Sequence, residues 1–594
     1  MSAIILLLSA FCVFALAYRY YSAFIAAKVL MLDDRNITPA VSKNDGRDHI
    51  PTNKWIVFGH HFAAIAGAGP LIGPTLAAQY GWGPGFFWIL LGSVFAGCVH
   101  DIIILFGSVR HHGQSLSVIA RKDVSKLTGV TTAVVTIFII IVALAGLAVA
   151  VTNALYRNPW GVFTIGMTIP IAMAVGFYMF RMRPGAIVSG SIAGVLAVCL
   201  AVFYGGSIAE SSFANWFSFD RTTLAILLPL YGFSAAALPV WLLLAPRDYL
   251  STYMKIFVIG ALAVGLIFVN PQVQMPFVTQ FIAGGGPIIP GPVWPYVFIT
   301  IACGAISGFH ALIGSGTTPK LIEKETEIRF IGYGAMLTEA FVGLMAFLAA
   351  VILVPNDYFA INTSSEVFAK LNMPVKNLPE LSALVGLDVS HRPGGAISLA
   401  VGMAFIFSSV GEGLQHTMKY WFQFIIMFEA LFILTTIDAG TRVARYILQD
   451  ILGDIYKPLK QTHWVPGIVF TSFAVSFAWG YILYTGDISS IWPMFGTTNQ
   501  TLASLALAIG TTLILRISAK KSYALITAIP CLFVAVTTFA AGIMNLQTYL
   551  EKGMILNSLL SIAIILLVAI ILVENVRVWK KLLKETKPIG MNTD

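Results

Sequence analysis

Apolar runs longer than the roughly 20 residues that span a bilayer recur from Ser2 to Val573, about sixteen in all, separated by polar loops. Continuous runs of this length predict transmembrane helices; a membrane barrel would instead show short segments of alternating hydrophobicity. The pattern predicts an all-α integral membrane protein, one polytopic domain over residues 1–594. Two of the runs are interrupted. From Lys54 to Tyr80 the chain reads KWIVFGHHFAAIAGAGPLIGPTLAAQY, punctuated by Gly67, Gly69, Pro70, Gly73 and Pro74. From Trp294 to Lys320 the theme returns, with His310 just ahead of Gly314-Ser315-Gly316 and Pro319. A helix broken at bilayer depth leaves backbone groups without partners, so it persists where it lines a cavity and a ligand can use them. Two such segments in corresponding places are the pattern of a carrier's substrate site.

Composition fixes the class. With 58% hydrophobic and 11% charged residues, and a mean hydropathy of +0.84, the chain has too little charge for a water-exposed surface. The net charge of +9 comes from lysine and arginine in short loops and in the tail that begins at Arg577, the positive-inside signature rather than a nucleic-acid footprint. Loops 19–53, 110–126, 320–329, 442–460 and 516–521 and the tail 577–594 are therefore assigned to the cytoplasm, and the uncharged loop 271–292 to the outside. Alternation works along the chain if the short segment 394–411 is re-entrant or peripheral. About fifteen helices then cross, with the N-terminus outside. On this topology the broken segments 54–80 and 294–320 run in opposite directions, as inverted repeats do.

The cysteines (Cys12, Cys98, Cys199, Cys303 and Cys531) lie singly within apolar stretches, which argues against disulfides and thiolate metal sites. The run Ser2 to Tyr18 has no basic residue before its apolar core and reads as a retained helix. No His-Glu-x-x-His, Walker A or Gly-x-Ser-x-Gly pattern is present, so neither an enzyme nor an ATP-driven pump is expected.

Longer motifs carry a resemblance. Phe58 to Pro74, Gly97-Cys-Val-His-Asp101, Arg110-His-His-Gly-Gln-Ser115, Ser307-Gly-Phe-His310, Gly314 to Lys320 and Thr435 to Arg442 closely resemble the carbon starvation protein A (CstA) family. The resemblance covers residues 1 to about 510. It implies a bacterial inner-membrane carrier that imports peptides, or in some members pyruvate, when carbon is scarce, with a modified LeuT-like fold.

Chemistry is expected where charge enters apolar runs, since a charged side chain facing lipid costs about 2.5–3.5 kcal/mol or more. His60, His61, His100, Asp101, Lys255, His310, Glu339, Glu429 and Asp438 therefore face the interior, and Glu339 or Glu429 is a candidate partner for Lys255. Gly67, Ala68, Gly69 and Gly73, with His310, Gly314, Ser315, Gly316 and Thr317, are the expected substrate lining. There a half-helix N-terminus suits a carboxylate and unwound carbonyls suit a cation. Gly69→Leu or Gly316→Leu is expected to abolish uptake while leaving folded protein.

Two couplings compete. Thr435, Thr436 and Asp438 resemble the hydroxyl pair beside the sodium site of LeuT-type carriers. Lys255 sits two turns into the helix before the second broken segment, where a proton-coupled relative of that fold uses an ammonium. The abundance of intramembrane titratable groups, Asp101, Glu339 and Glu429 among them, favours protons. No cofactor is required. A metal or haem between His60 or His61 and His100 with Asp101 is an open alternative, as is a channel. His111 and His112 read as solvated loop residues.

Overall fold

In lipid every backbone polar group needs an internal partner, so the apolar runs fold as helices. The computed structural model describes residues 1–44, 49–67, 69–183, 187–238, 244–411, 413–453, 455–461, 464–486 and 488–585. No strand occurs among the described residues, only isolated bridges such as Thr52 with Ile322. Among the described residues eleven helices are long and apolar enough to cross a membrane, and the pair Lys54–Ile65 and Gly69–Tyr80, bent by 50°, brings the number to twelve. Further runs fold as shorter or interrupted helices. Arg221–Ala237 has 17 residues, the second broken segment is divided into pieces, and Ala396–Ser408 has 13 residues. At 1.5 Å per residue the last is about 20 Å long, less than the roughly 30 Å of a bilayer core.

Burial separates inner from outer helices. In Trp82–Arg110, Lys126–Leu155, Glu325–Val351, Gln415–Gly453 and Ser490–Ile517 most of the apolar stretch (78–89%) is buried by neighbours, whereas in Ser189–Ala209 and Ile555–Leu582 only 28% and 33% of it is. The broken segments lie among the inner set.

Loop contacts define the two ends of the bundle. At one end Arg110 pairs with Glu325, the Thr326 N–H donates to Asp34, the Thr52 N–H donates to the Leu321 carbonyl and Arg516 pairs with Asp123. At the other, Ala3 bonds Pro271, Thr279 bonds Tyr80, Gln274 bonds Val351, and Arg392 donates to the Tyr156 carbonyl. The lysine- and arginine-bearing loops 19–53, 110–126, 320–329 and 516–521 thus share one end, and the N-terminus shares the other with loop 271–292. The first broken segment starts at the basic end and the second finishes there, so the two are antiparallel. His111 departs from the solvated reading. It is buried, with Nε2 2.9 Å from Asp123 and Nδ1 2.8 Å from the Gly107 carbonyl, because the chain turns back over it into Leu116–Asp123.

Candidate functional site

The first half-helix, Lys54–Ile65, ends at Ala66, whose ψ of 77° is no longer helical, and the chain re-enters a helix at Gly69. The last carbonyls of a helix have no intrahelical donors and carry partial negative charge. Here Lys255 supplies the donor. Its Nζ lies 2.9 Å from the Ala66 carbonyl and 3.2 Å from that of Ala63, and 4.0 Å above the Phe432 ring. Thr436, one turn beyond Phe432, stands directly against Gly67, where a Cβ would meet its Oγ1 at 2.9 Å. The lysine and one of the two threonines, read from sequence as rival coupling devices, therefore meet at one break. Thr435 and Thr436 both donate to the Phe432 carbonyl.

The second broken segment comprises Val293–Thr300, Ala302–Ala305 and His310–Gly314. Its main interruption is Ile306 to Phe309, about two turns earlier than the Gly314-Ser315-Gly316 motif suggests. A Cβ on Gly308 would sit 2.2 Å from the Asn499 carbonyl, and the Phe309 N–H donates to Asn499 Oδ1 at 3.0 Å. Close approach of the Ile488–Ile517 helix is what demands glycine there. Ser315 is engaged, accepting from the Leu116 N–H and donating to the Ala311 carbonyl, and Gly314 packs on Leu105. Gly73 packs against the Thr300 carbonyl and Gly69 against Cys303, so these glycines seat one broken segment on the other. Gly316 is partly exposed, Thr317 is exposed, and Ala68 lies outside the described residues.

A buried chain of ionisable groups starts at the second break. His100 Nε2 donates to the Ile306 carbonyl, and its Nδ1 is 2.9 Å from Asp101 Oδ1. Asp101 Oδ2 is 2.8 Å from His310 Nδ1, and His310 Nε2 is 2.6 Å from Glu339 Oε2. The His100–Ile306 and His310 Nδ1–Asp101 contacts are hydrogen bonds, whereas His100–Asp101 and His310–Glu339 are close pairs of ionisable groups without hydrogen-bond alignment. Charging or discharging any member changes the attraction it has for its neighbours. The members come from the Cys98–Arg110 helix, the second broken segment and the Gly334–Val351 helix, so a change in proton count is felt as a change in helix packing.

Other expected residues fall elsewhere. Glu339 partners His310 rather than Lys255, although Lys255 is near enough for its charge to act on it. Asp438 does not join Thr436. It faces away, accepting from the Tyr231 hydroxyl at 2.6 Å and lying 3.4 Å from Arg247. Its two-residue offset turns it about 160° around the helix. Glu429 is buried, and neither oxygen has a hydrogen-bond partner among the described residues. His60, His61, His100 and Asp101 do not converge. His61 Nδ1 is 2.8 Å from Thr318 Oγ1 and His60 Nε2 is 3.4 Å from Thr317 Oγ1, strapping the first broken segment to the second. Among the described residues no group of three or more His, Cys, Asp or Glu is arranged to hold a metal ion.

Sequence reasoning missed Asn499 and Phe432. A signal existed for the first: Thr497-Thr498-Asn499-Gln500-Thr501 is a polar run inside an apolar span.

Long apolar helices packed around two antiparallel broken segments, with buried ionisable groups at both breaks, define a polytopic membrane transporter. The profile of the family described as carbon starvation protein CstA matches residues 2–541, and the chain belongs to that family. The peptide transporter CstA of Bacillus subtilis (strain 168) is 50% identical over 590 residues, covering 98% of each chain. The pyruvate/proton symporter BtsT of Escherichia coli (strain K12) is 43% identical over 597 residues, covering 92% of this chain and 82% of its own. Among solved structures, a mutant of the Eremococcus coleocola manganese transporter aligns with a TM-score of 0.43 at 12% identity, over 91% of this chain and 99% of that one, a likeness too weak to carry an argument.

Proposed function

We propose that the chain is a proton-coupled symporter of the bacterial inner membrane that imports short peptides by alternating access around its two broken segments. In this reading the segments belong to inverted repeats of a LeuT-like fold, the N-terminus is outside and the C-terminal tail is cytoplasmic.

The observation that carries the coupling is Lys255 Nζ on the Ala63 and Ala66 carbonyls, with Thr436 beside the same break. A sodium ion in such a carrier is held by unwound carbonyls and hydroxyls. Here an ammonium already has the carbonyls, and unlike sodium it can be discharged by losing one proton. A neutral amine holds two carbonyls at a helix C-terminus far less well, because the charge assistance is gone. Deprotonation then frees the first half-helix to shift, and reprotonation restores the clamp. The chain from His100 to Glu339 adds a second group whose proton count and helix contacts are linked. The substrate carboxylate meets the first-turn N–H groups of the half-helix that starts at Gly69. No cofactor takes part.

Peptide as the substrate class is supported by the 50% identity to a peptide transporter over 98% of each chain. Pyruvate is the second reading, favoured by the 43% identity to a pyruvate/proton symporter. Proteoliposomes loaded with protein and given labelled triglycine or pyruvate, under an inward proton or sodium gradient, separate the readings. Triglycine accumulating with the proton gradient alone is the expected result. Accumulation with sodium alone refutes the coupling, pyruvate alone refutes the substrate, and equilibration without accumulation points to a channel.

A further inference from the structure

We propose that Glu429 receives the ammonium terminus of the substrate and so makes this transporter selective for a free peptide amine; the inference rests on the peptide-import reading above. The other buried carboxylates in the described residues are engaged. Asp101 and Glu339 lie on histidines, Asp438 on Arg247 and Tyr231, Glu325 on Arg110, and Asp357 accepts two backbone N–H groups. Glu429 is 1% exposed, yet neither oxygen meets a donor among the described residues. A buried carboxylate is stable when a cation or several donors face it, and a ligand bearing an ammonium is one such cation.

Its position on the Met418–Gly453 helix says which space it faces. At 100° per residue Glu429 lies about 20° to one side of Thr436 and about 20° to the other side of Gly440. Thr436 touches the break at Gly67, and Gly440 packs on Leu144 of Lys126–Leu155. Glu429 therefore points between the first broken segment and that helix. The seven residues separating it from Thr436 set it about 10 Å above the break, toward the end that carries the N-terminus. Three residues of extended peptide reach about 10 Å. A tripeptide with its carboxylate on the N–H groups near Gly69 thus brings its ammonium to Glu429. A monocarboxylate held at the break is too short to reach it and has no cation to offer.

The test compares triglycine, diglycine, N-acetyl-triglycine and pyruvate as substrates of the full-length protein in proteoliposomes, in wild type, Glu429→Gln and Glu429→Asp. Wild type is expected to favour triglycine over its N-acetyl form by about tenfold or more, the value of one charge-assisted contact. Triglycine should also be favoured over diglycine. Glu429→Gln should collapse the amine preference to within about twofold by raising the triglycine KM, and Glu429→Asp should retain it. A group that only carries protons would instead lower accumulation of all substrates alike and leave the ratio intact, which would overturn the proposal. Should the variants not fold, wild type alone decides: triglycine imported with no preference over its N-acetyl form refutes the role of Glu429 while leaving peptide import standing. A wild type that accumulates pyruvate and no peptide refutes the import reading and this inference together.

Discussion

Gly69 sits where the two broken segments touch, and a Cβ there would fall 2.3 Å from Cys303 Sγ. Relief requires backbone movement in a packed core, which typically costs about 1–3 kcal/mol. Gly69→Ala is therefore expected to lower the melting temperature of the purified protein, and an unchanged melting curve would show that the segments are not seated as described. The same geometry revises Gly69→Leu as a probe of substrate binding, because loss of uptake would follow from lost packing alone. At this scale much of the site was legible. The nine ionisable residues in apolar runs stand out because lipid penalises charge, and eight of them are buried, His60 being the exposed exception. Their partners were not legible. Lys255 takes backbone carbonyls, which have no sequence signature, and Asp438 turns away from Thr436 because two residues on a helix face nearly opposite directions.

Among elements, the contact chain from Ile306 through His100, Asp101 and His310 to Glu339 ties three helical segments through buried ionisable side chains. Glu339→Gln keeps the side-chain shape but replaces a carboxylate with an amide that cannot exchange a proton with His310. The expected outcome is a folded protein whose accumulation under a proton gradient falls by about tenfold or more. Its thermal stability should also vary less than that of wild type between about pH 5 and 8. Wild-type accumulation in this variant would remove the chain from the coupling mechanism. The antiparallel broken pair was readable from loop charge. The exact place of the second break was not, since the glycines at 314 and 316 advertise a turn while Gly308 is needed for the approach of Asn499, a contact across 191 residues of sequence.

For the whole molecule, the loop contacts put Gln280 and Lys324 at opposite ends of the bundle, on exposed loop positions. With positive charge at the cytoplasmic end, a Gln280→Cys variant should react with a membrane-impermeant maleimide on intact cells. Lys324→Cys should react only after permeabilisation, and the reverse pattern would invert the topology. The helical membrane class and the gathering of basic loops at one end were legible because they follow from hydropathy and charge; the number of crossings was not, since about fifteen were expected where eleven or twelve helices among the described residues are long and apolar enough, and which runs cross depends on tertiary packing, as with Ala396–Ser408.

The central claim is that the Lys255 ammonium, clamped on the first broken helix, couples proton entry to movement of that helix. The most direct measurement compares wild type with Lys255→Ala in proteoliposomes, scoring gradient-driven accumulation and gradient-free counterflow of the same labelled peptide. The account predicts that the variant retains counterflow and loses accumulation under an inward proton gradient. Proton-driven accumulation at the wild-type level in Lys255→Ala would contradict it.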